Sequence, residues 1–225
     1  TFPKVMKTLY DLSGIKTDEK LMAKFIPYAG YLNVDEAEDL DKEWKEVAKN
    51  VGVNVDELKR RILPLSALYS IGEHARSLLV ALNDGGLPSN VGGGYNLRIL
   101  ARRCFDFIEK YNWKIDLFTI CKEHAKELKQ QFPELSENLD EVKKILDVEK
   151  IKYSANKQKA KAIVDKIVKD KQKISTEKLV ELYDSNGIAP ELVANELGIK
   201  VPDNFYALVA SRHEIRVQER QTQKT

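Results

Sequence analysis

Residues 83–103, NDGGLPSNVGGGYNLRILARR, concentrate the side chains whose types and spacing could do chemistry. A Gly/Pro/Ser/Asn loop leads into three consecutive glycines, Gly92, Gly93 and Gly94, and then into a helix carrying Arg98, Arg102 and Arg103. Glycine inside a helix costs about 0.5–1 kcal/mol relative to alanine, so three together need a reason. One reason is a flexible helix connection; the other is close approach of something bulky and anionic to the backbone. The triplet lacks the Gly-Lys-Ser/Thr ending of a nucleotide P-loop and follows no strand, which argues against a nucleotide cradle. A phosphate chain of RNA or DNA lying on the glycines, with arginines supplying charge, fits the pattern. Asn90, just ahead of the glycines, is the polar side chain best placed to read what arrives.

Three other groupings invite a chemical reading. Glu73, His74 and Arg76 lie within one helical turn and read as a polar network that orients their helix. Cys121 and His124 share a helix face at a spacing compatible with a metal, but two ligands make no site and Cys104 is the only further cysteine, so no metal is expected. No Ser-His-Asp, Cys-His or paired-carboxylate arrangement assembles from three scattered histidines, and no catalytic residue is named. In Leu182–Pro190, LYDSNGIAP, Asp184 sits at the end of a helix, where the helix dipole disfavours a carboxylate. Turn chemistry or ligand recognition would each account for it.

The elements that must position these residues read as helices almost throughout. Pro3 opens and Gly14 closes a first helix, Thr17 starts a second, and Asn33 is the expected cap of a third that ends at Gly52. Leu40, Trp44, Val47 and Val51 form the third helix's apolar stripe. Asn54 starts a helix expected to end or bend before Pro64, followed by a buried central helix over 65–82. Helices are also expected at 115–131, at 136–173 with an apolar-poor, exposed or kinked middle at 154–161, and at 176–183, 190–197 and 203–213. No alternating run supports a strand. The expected fold is an all-α multi-helix bundle without a significant sheet. Its expected division is an N-terminal lobe over 1–132 with the Gly-rich loop and basic helix, and a C-terminal lobe over 133–214 with the Lys-rich helix and the LYDSNG motif. Residues 215–225 read as a disordered tail or linker stub.

Composition sets the class. The chain has 225 residues, 43 % apolar and 32 % charged, enough for a sizeable core. No segment has the roughly 18 uncharged apolar residues of a membrane span, and two cysteines argue against a disulfide framework, so a cytoplasmic protein is expected. The start, TFPKVMK, has no initiator Met and reads as an excised or processed chain. Net charge is only +2, but it is unevenly spread. Residues 35–46 are acidic, whereas 150–173 hold nine lysines against Asp165 and Asp170.

The motifs in order resemble one family. His74-Ala75-Arg76, then Asp84-Gly85-Gly86-x-Pro88-Ser89-Asn90-x-Gly92-x-Gly94-Tyr95-x-Leu97-Arg98-x-Leu100-x-Arg102-Arg103, is similar to the helical middle region of alanyl-tRNA synthetases. LYDSNGIAPELV at 182–193 resembles that family's LYDTYG-x-P segment. LNVDEAED at 32–39 and VPDNFYALVASRHE at 201–214 resemble its archaeal branch. The likeness covers essentially the whole chain. Gly93 and Ile99 stand where many members have arginine, and Glu73 where an aspartate is usual.

The resemblance implies a tRNA-recognition domain of an alanine–tRNA ligase, a class II aminoacyl-tRNA synthetase. Its partners would be the tRNA-Ala acceptor stem and the catalytic and editing domains of the same parent chain, with no membrane partner. The family identifies its tRNA by a G·U wobble pair. By resemblance Asn90 and Asp184 read that pair, while Gly92, Gly93, Gly94, Arg98, Arg102 and Arg103 position the RNA backbone. ATP, magnesium and the zinc of the editing domain would belong to the parent; the chain alone would hold no cofactor and have no catalytic activity. The alternative is a helical scaffold or protein-docking module without RNA specificity of its own.

Overall fold

The computed structural model describes residues 2–32, 39–170, 174–186, 188, 190–202, 204, 205 and 207–212. Among them no strand occurs. The helices are α1 (Pro3–Ser13), α2 (Glu19–Phe25), α3 (Leu40–Val51), α4 (Val55–Asn83), α5 (Gly92–Lys110), α6 (Leu117–Leu128), α7 (Leu139–Lys169), α8 (Thr176–Asn186) and α9 (Pro190–Leu197), with 3-10 turns at Ile26–Leu32 and Pro133–Ser136. The all-α expectation holds.

Local signals account for most boundaries. Pro3 occupies the first turn of α1, and Gly14, at φ +69°, donates its N–H to Tyr10 O at 2.9 Å. Asp116 caps α6 by accepting from Thr119 N at 3.0 Å, so that helix is shorter at both ends than expected. Asp39 accepts from Lys42 N at 3.1 Å and caps α3. The cap expected at Asn33 lies outside the described residues, as do the 215–225 tail and parts of the 203–213 helix.

Of the two outcomes expected at Pro64, an end or a bend, the end does not occur. α4 runs unbroken through it for 29 residues, capped by Asn54, whose side chain accepts from Glu57 N at 2.8 Å. An interior proline costs about 3 kcal/mol in helix stability. Here Leu58, Ile62, Leu65, Leu68 and Ile71 are buried on both sides of it, and that packing carries the helix through.

The chain divides into two units, 1–23 with 52–153, and 24–51 with 154–225. The first unit's core joins Val5 and Leu9 of α1, Leu68, Ile71, Leu78 and Leu79 of α4, Ala101 and Cys104 of α5, and Ile120, Cys121 and Ala125 of α6. Val142, Leu146 and Tyr153 of α7 belong to the same core. A division at 132/133 therefore falls inside this unit, which continues to 153. The second unit is built round Val164 and Ile167 of α7, Leu179 and Leu182 of α8, Val193 of α9, and Phe205.

Candidate functional site

The loop before α5 is folded back on that helix's first turn. Ser89 N–H donates to Gly94 O at 2.9 Å, and Ser89 Oγ–H donates to Val91 O at 2.8 Å. A Cβ on Gly94 would lie 2.3 Å from Leu87 O and 2.4 Å from Ser89 Oγ, so only glycine lets loop and helix meet. Gly92 begins the helix at φ +59°, a conformation side chains rarely adopt. The three glycines thus form the first turn of α5 rather than a loop ahead of it. Gly93 answers to neither demand: its φ is ordinary and nothing lies within 4 Å of its built Cβ. Gly92 and Gly93 are both exposed.

Asn90 is exposed on the same loop, and Arg98, two turns into α5, donates Nη1–H to its Oδ1. A guanidinium has only donors, so the amide oxygen must face it and the amide NH2 is left to the solvent side. Arg98 also donates from Nη2 to Pro88 O at 3.2 Å, so one guanidinium grips the loop on either side of Ser89.

Arg98 is in turn held by Glu149 of α7. Nε donates to Glu149 Oε2 at 3.0 Å and Nη2 to Oε1 at 2.9 Å, a two-bond ion pair. The side chains are only 11 % and 3 % exposed. Lys152 adds a third donor, Nζ at 3.2 Å from Oε1. Burial raises the Glu149 carboxyl's pKa, but the hydrogen bonds and charges of Arg98 and Lys152 outweigh that and hold it below its ordinary value. Removing one partner of so buried a pair costs about 3–5 kcal/mol, because it strands the other charge. Arg98 is thus committed within the unit, whereas the resemblance had grouped it with the phosphate-facing arginines.

Arg102 and Arg103 follow on α5, both half-buried. Burial and the Arg103 charge lower the pKa of His74, against the pull of Glu73, so His74 is neutral at pH 7. Glu73 pairs with Arg76 at 2.7 Å, and the Arg76 guanidinium lies 5.3 Å above the Phe2 ring. Cys121 and His124 are turned to α4's backbone: Cys121 Sγ–H donates to Ala75 O at 3.4 Å and His124 Nε2–H to Gly72 O at 2.8 Å. Among the described residues no group of three His, Cys, Asp or Glu could hold a metal, and no helix is long and apolar enough to cross a membrane.

Asp184 belongs to the second unit, in the last turn of α8, while Asn90 belongs to the first. Its side chain is 2 % exposed, with Arg212 Nε 4.0 Å from Oδ2. Arg212 also donates from Nη1 to Glu177 O at 3.4 Å, so it lies along α8 over the carboxylate. Beyond Asp184, Ile188 N–H returns to Leu182 O at 3.2 Å and closes the helix end.

Glu149 is the residue that sequence reasoning missed. It sits in DVEKIKY and resembles any surface acid of a Lys-rich helix. The available signal was its register: Val142, Leu146, Glu149 and Tyr153 recur at the spacing of one buried stripe. A carboxylate in such a stripe needs a cationic partner.

The family described as tRNA synthetases class II (A) matches residues 3–225. An alanine–tRNA ligase of Methanocella arvoryzae is 44 % identical over 217 residues, covering 96 % of this chain and 25 % of the relative. Those of Methanococcus maripaludis and Nitrosopumilus maritimus are 36 % and 35 % identical, each covering 95 % of this chain and 25 % and 24 % of the relative. The chain spans about a quarter of the length of the curated relatives it matches.

Proposed function

We propose, for a chain that belongs to the family of class II (A) tRNA synthetases, that it is the tRNA-recognition part of an alanine–tRNA ligase and reads a G·U wobble pair in the acceptor stem of tRNA-Ala. The observation that carries this reading is the exposed Asn90, its amide oxygen bonded to Arg98, beside the open Gly92 and Gly93; a donor-only partner on that oxygen leaves the NH2 for a ligand.

The chemistry suits an RNA minor groove. In A-form RNA that groove is wide and shallow, within reach of side chains. A G·U pair leaves the guanine 2-amino donor and the uracil O2 acceptor on that side. The outward Asn90 NH2 supplies a donor to a pyrimidine O2, and the Asp184 carboxylate an acceptor for the guanine amino group. Gly93, for which the fold has no other use, gives the sugar–phosphate chain room, and Arg102 and Arg103 hold it. Each such base contact is worth about 1–3 kcal/mol on the scale of base-edge contacts to DNA. ATP, magnesium and zinc belong, on this reading, to the catalytic and editing parts of the parent chain, which take the captured tRNA onward in the cytoplasm.

The test is filter binding of tRNA-Ala acceptor minihelices carrying G·U or G-C at the wobble position, at two salt concentrations. The expected result is salt-dependent binding with a G·U preference of at least about fivefold, the lower end of one base contact. Asn90→Ala and Asp184→Ala should each erase much of it. Equal binding of both helices by the unaltered chain overturns the reading in favour of a scaffold.

A further inference from the structure

Among the described residues Glu149 is hydrogen-bonded to Arg98 and Lys152 and to no residue of the exposed loop, yet its geometry governs what the loop presents. Its two carboxylate oxygens take Nε and Nη2 of Arg98 at 3.0 and 2.9 Å, which fixes the plane of the guanidinium. With those groups engaged, Nη1 is aimed at Asn90 Oδ1, and Nη2 also reaches Pro88 O at 3.2 Å. The relay therefore runs from a buried acid on α7, through one arginine on α5, to a single exposed amide. A carboxamide can face its partner with either end. A donor-only partner permits one of the two, leaving the donor outward.

We infer that Glu149 is a positioning residue for base reading: through Arg98 it sets the polarity of the Asn90 amide, so that the loop offers a hydrogen-bond donor to the RNA minor groove. The inference rests on the proposed reading of the wobble pair. Glu149, Asn90 and Pro88 engage four of the five N–H donors of Arg98 and leave one Nη1–H, so holding a phosphate is not the main task of this guanidinium. Lys152, half exposed, adds a donor to the same carboxylate, with Nζ 3.2 Å from Oε1. Lysine could not replace Arg98, since one ammonium cannot span a bidentate carboxylate and an amide oxygen together.

Two variants separate this role from a structural or phosphate-binding one. Glu149→Gln keeps the volume and one acceptor but removes the charge and the second acceptor. Arg98→Leu combined with Glu149→Leu removes the pair as a unit, which avoids stranding a buried charge. The first measurement needs no RNA: the Asn90 side-chain amide signals of 15N-asparagine-labelled chain. They should shift and lose their hindered character in both variants, while circular dichroism retains its helical signal. Unmoved Asn90 signals overturn the clamp.

The second measurement is minihelix binding. The G·U over G-C preference should fall about fivefold or more in both variants, with G-C affinity and the salt slope unchanged. Were Arg98 a phosphate ligand, the double variant would lose affinity for both helices alike and its salt slope would drop by about one; that result overturns the inference. An unaltered chain without any preference, together with Asn90 signals that do move in the variants, removes the wobble-reading function and leaves the clamp. A persisting preference despite moved signals removes the clamp's part in recognition and leaves the function.

Discussion

Ser89 and Gly94 are joined across the start of α5 so closely that a methyl group would not fit: Ser89 N–H donates to Gly94 O at 2.9 Å, and a Cβ on Gly94 would stand 2.4 Å from Ser89 Oγ. One glycine of the triplet is thus spent on holding the loop, a second on a left-handed turn at Gly92, and Gly93 on neither. Three identical residues have three different physical standings, and substitution should separate them.

Gly94→Ala should destabilise by about 1–3 kcal/mol, as forcing a methyl into packed atoms does, because Leu87 O and Ser89 are backbone-anchored and cannot give way. Gly93→Ala should leave stability unchanged or raise it by about 0.4–1 kcal/mol, through a less flexible unfolded chain. Urea denaturation of the two variants decides this. The RNA reading adds a second expectation, that Gly93→Ala weakens minihelix binding despite its sound fold. Equal stability loss at both positions would dismiss the division of labour.

A second close approach ties the first residues of the chain to α4. A Cβ on Gly72 would meet Phe2 Cε2 at 2.7 Å and Leu9 Cδ1 at 3.3 Å, and the Gly72 carbonyl accepts from His124. Phe2 itself packs edge-on to His124, ring centroids 5.0 Å apart. Gly72→Ala should cost about 1–3 kcal/mol, and Phe2→Leu should relieve part of it, with a coupling of about 0.5–3 kcal/mol in a double-mutant cycle. Additive effects would place the strain elsewhere than at Phe2.

The same histidine makes stability depend on pH. Burial lowers the pKa of His124; the bond to Gly72 and the acids Glu127 and Glu73 raise it, and Arg76 lowers it further. His74 is lowered too, by burial and then by Arg103, against Glu73. For both, the folded pKa lies below the unfolded value of about 6.5. The unfolded chain therefore takes up protons first as pH falls. Their contribution is complete above the unfolded pKa and is lost as pH drops through the lower folded values. The urea midpoint should fall between about pH 7.5 and pH 5, and His124→Gln, which can still donate to the Gly72 carbonyl, should flatten that fall. A midpoint independent of pH over this range would contradict the buried neutral histidines.

What the sequence disclosed follows from which interactions are local. Pro3, Gly14 and Asn54 announce helix ends because caps act within one turn, whereas the cap at Asp116 went unread and that helix was expected from 115. Of the expected stripe Leu40, Trp44, Val47 and Val51, the last three are buried and Leu40, at the helix start, is half-buried. Pro64 misled because its cost is local whereas the compensating burial of Leu58, Ile62 and Leu65 is tertiary. That the start of α5 demands glycine was legible in the triplet itself, as Gly92 and Gly94 show. The partner of Arg98 was not, because Glu149 lies 51 residues away and no turn-level rule links them. Nor could spacing reveal that Cys121 and His124 turn to the carbonyls of Ala75 and Gly72.

Asn90→Asp is the sharpest single test of which atom reads the RNA. The replacement is isosteric, and a carboxylate accepts from Arg98 at least as well as the amide oxygen does. The loop should therefore stay clamped between Pro88 and Val91, with no loss in the urea midpoint. Only the outward NH2 disappears, exchanged for a charged acceptor facing a polyanion. The G·U preference should collapse by a factor of about 5–150, the worth of one base-edge contact, as it does in Asn90→Ala. If the preference survives in Asn90→Asp but not in Asn90→Ala, the reading atom is an oxygen, and the donor assignment for Asn90 is wrong. Minihelix titrations of the three chains side by side, at one stated salt concentration, settle which.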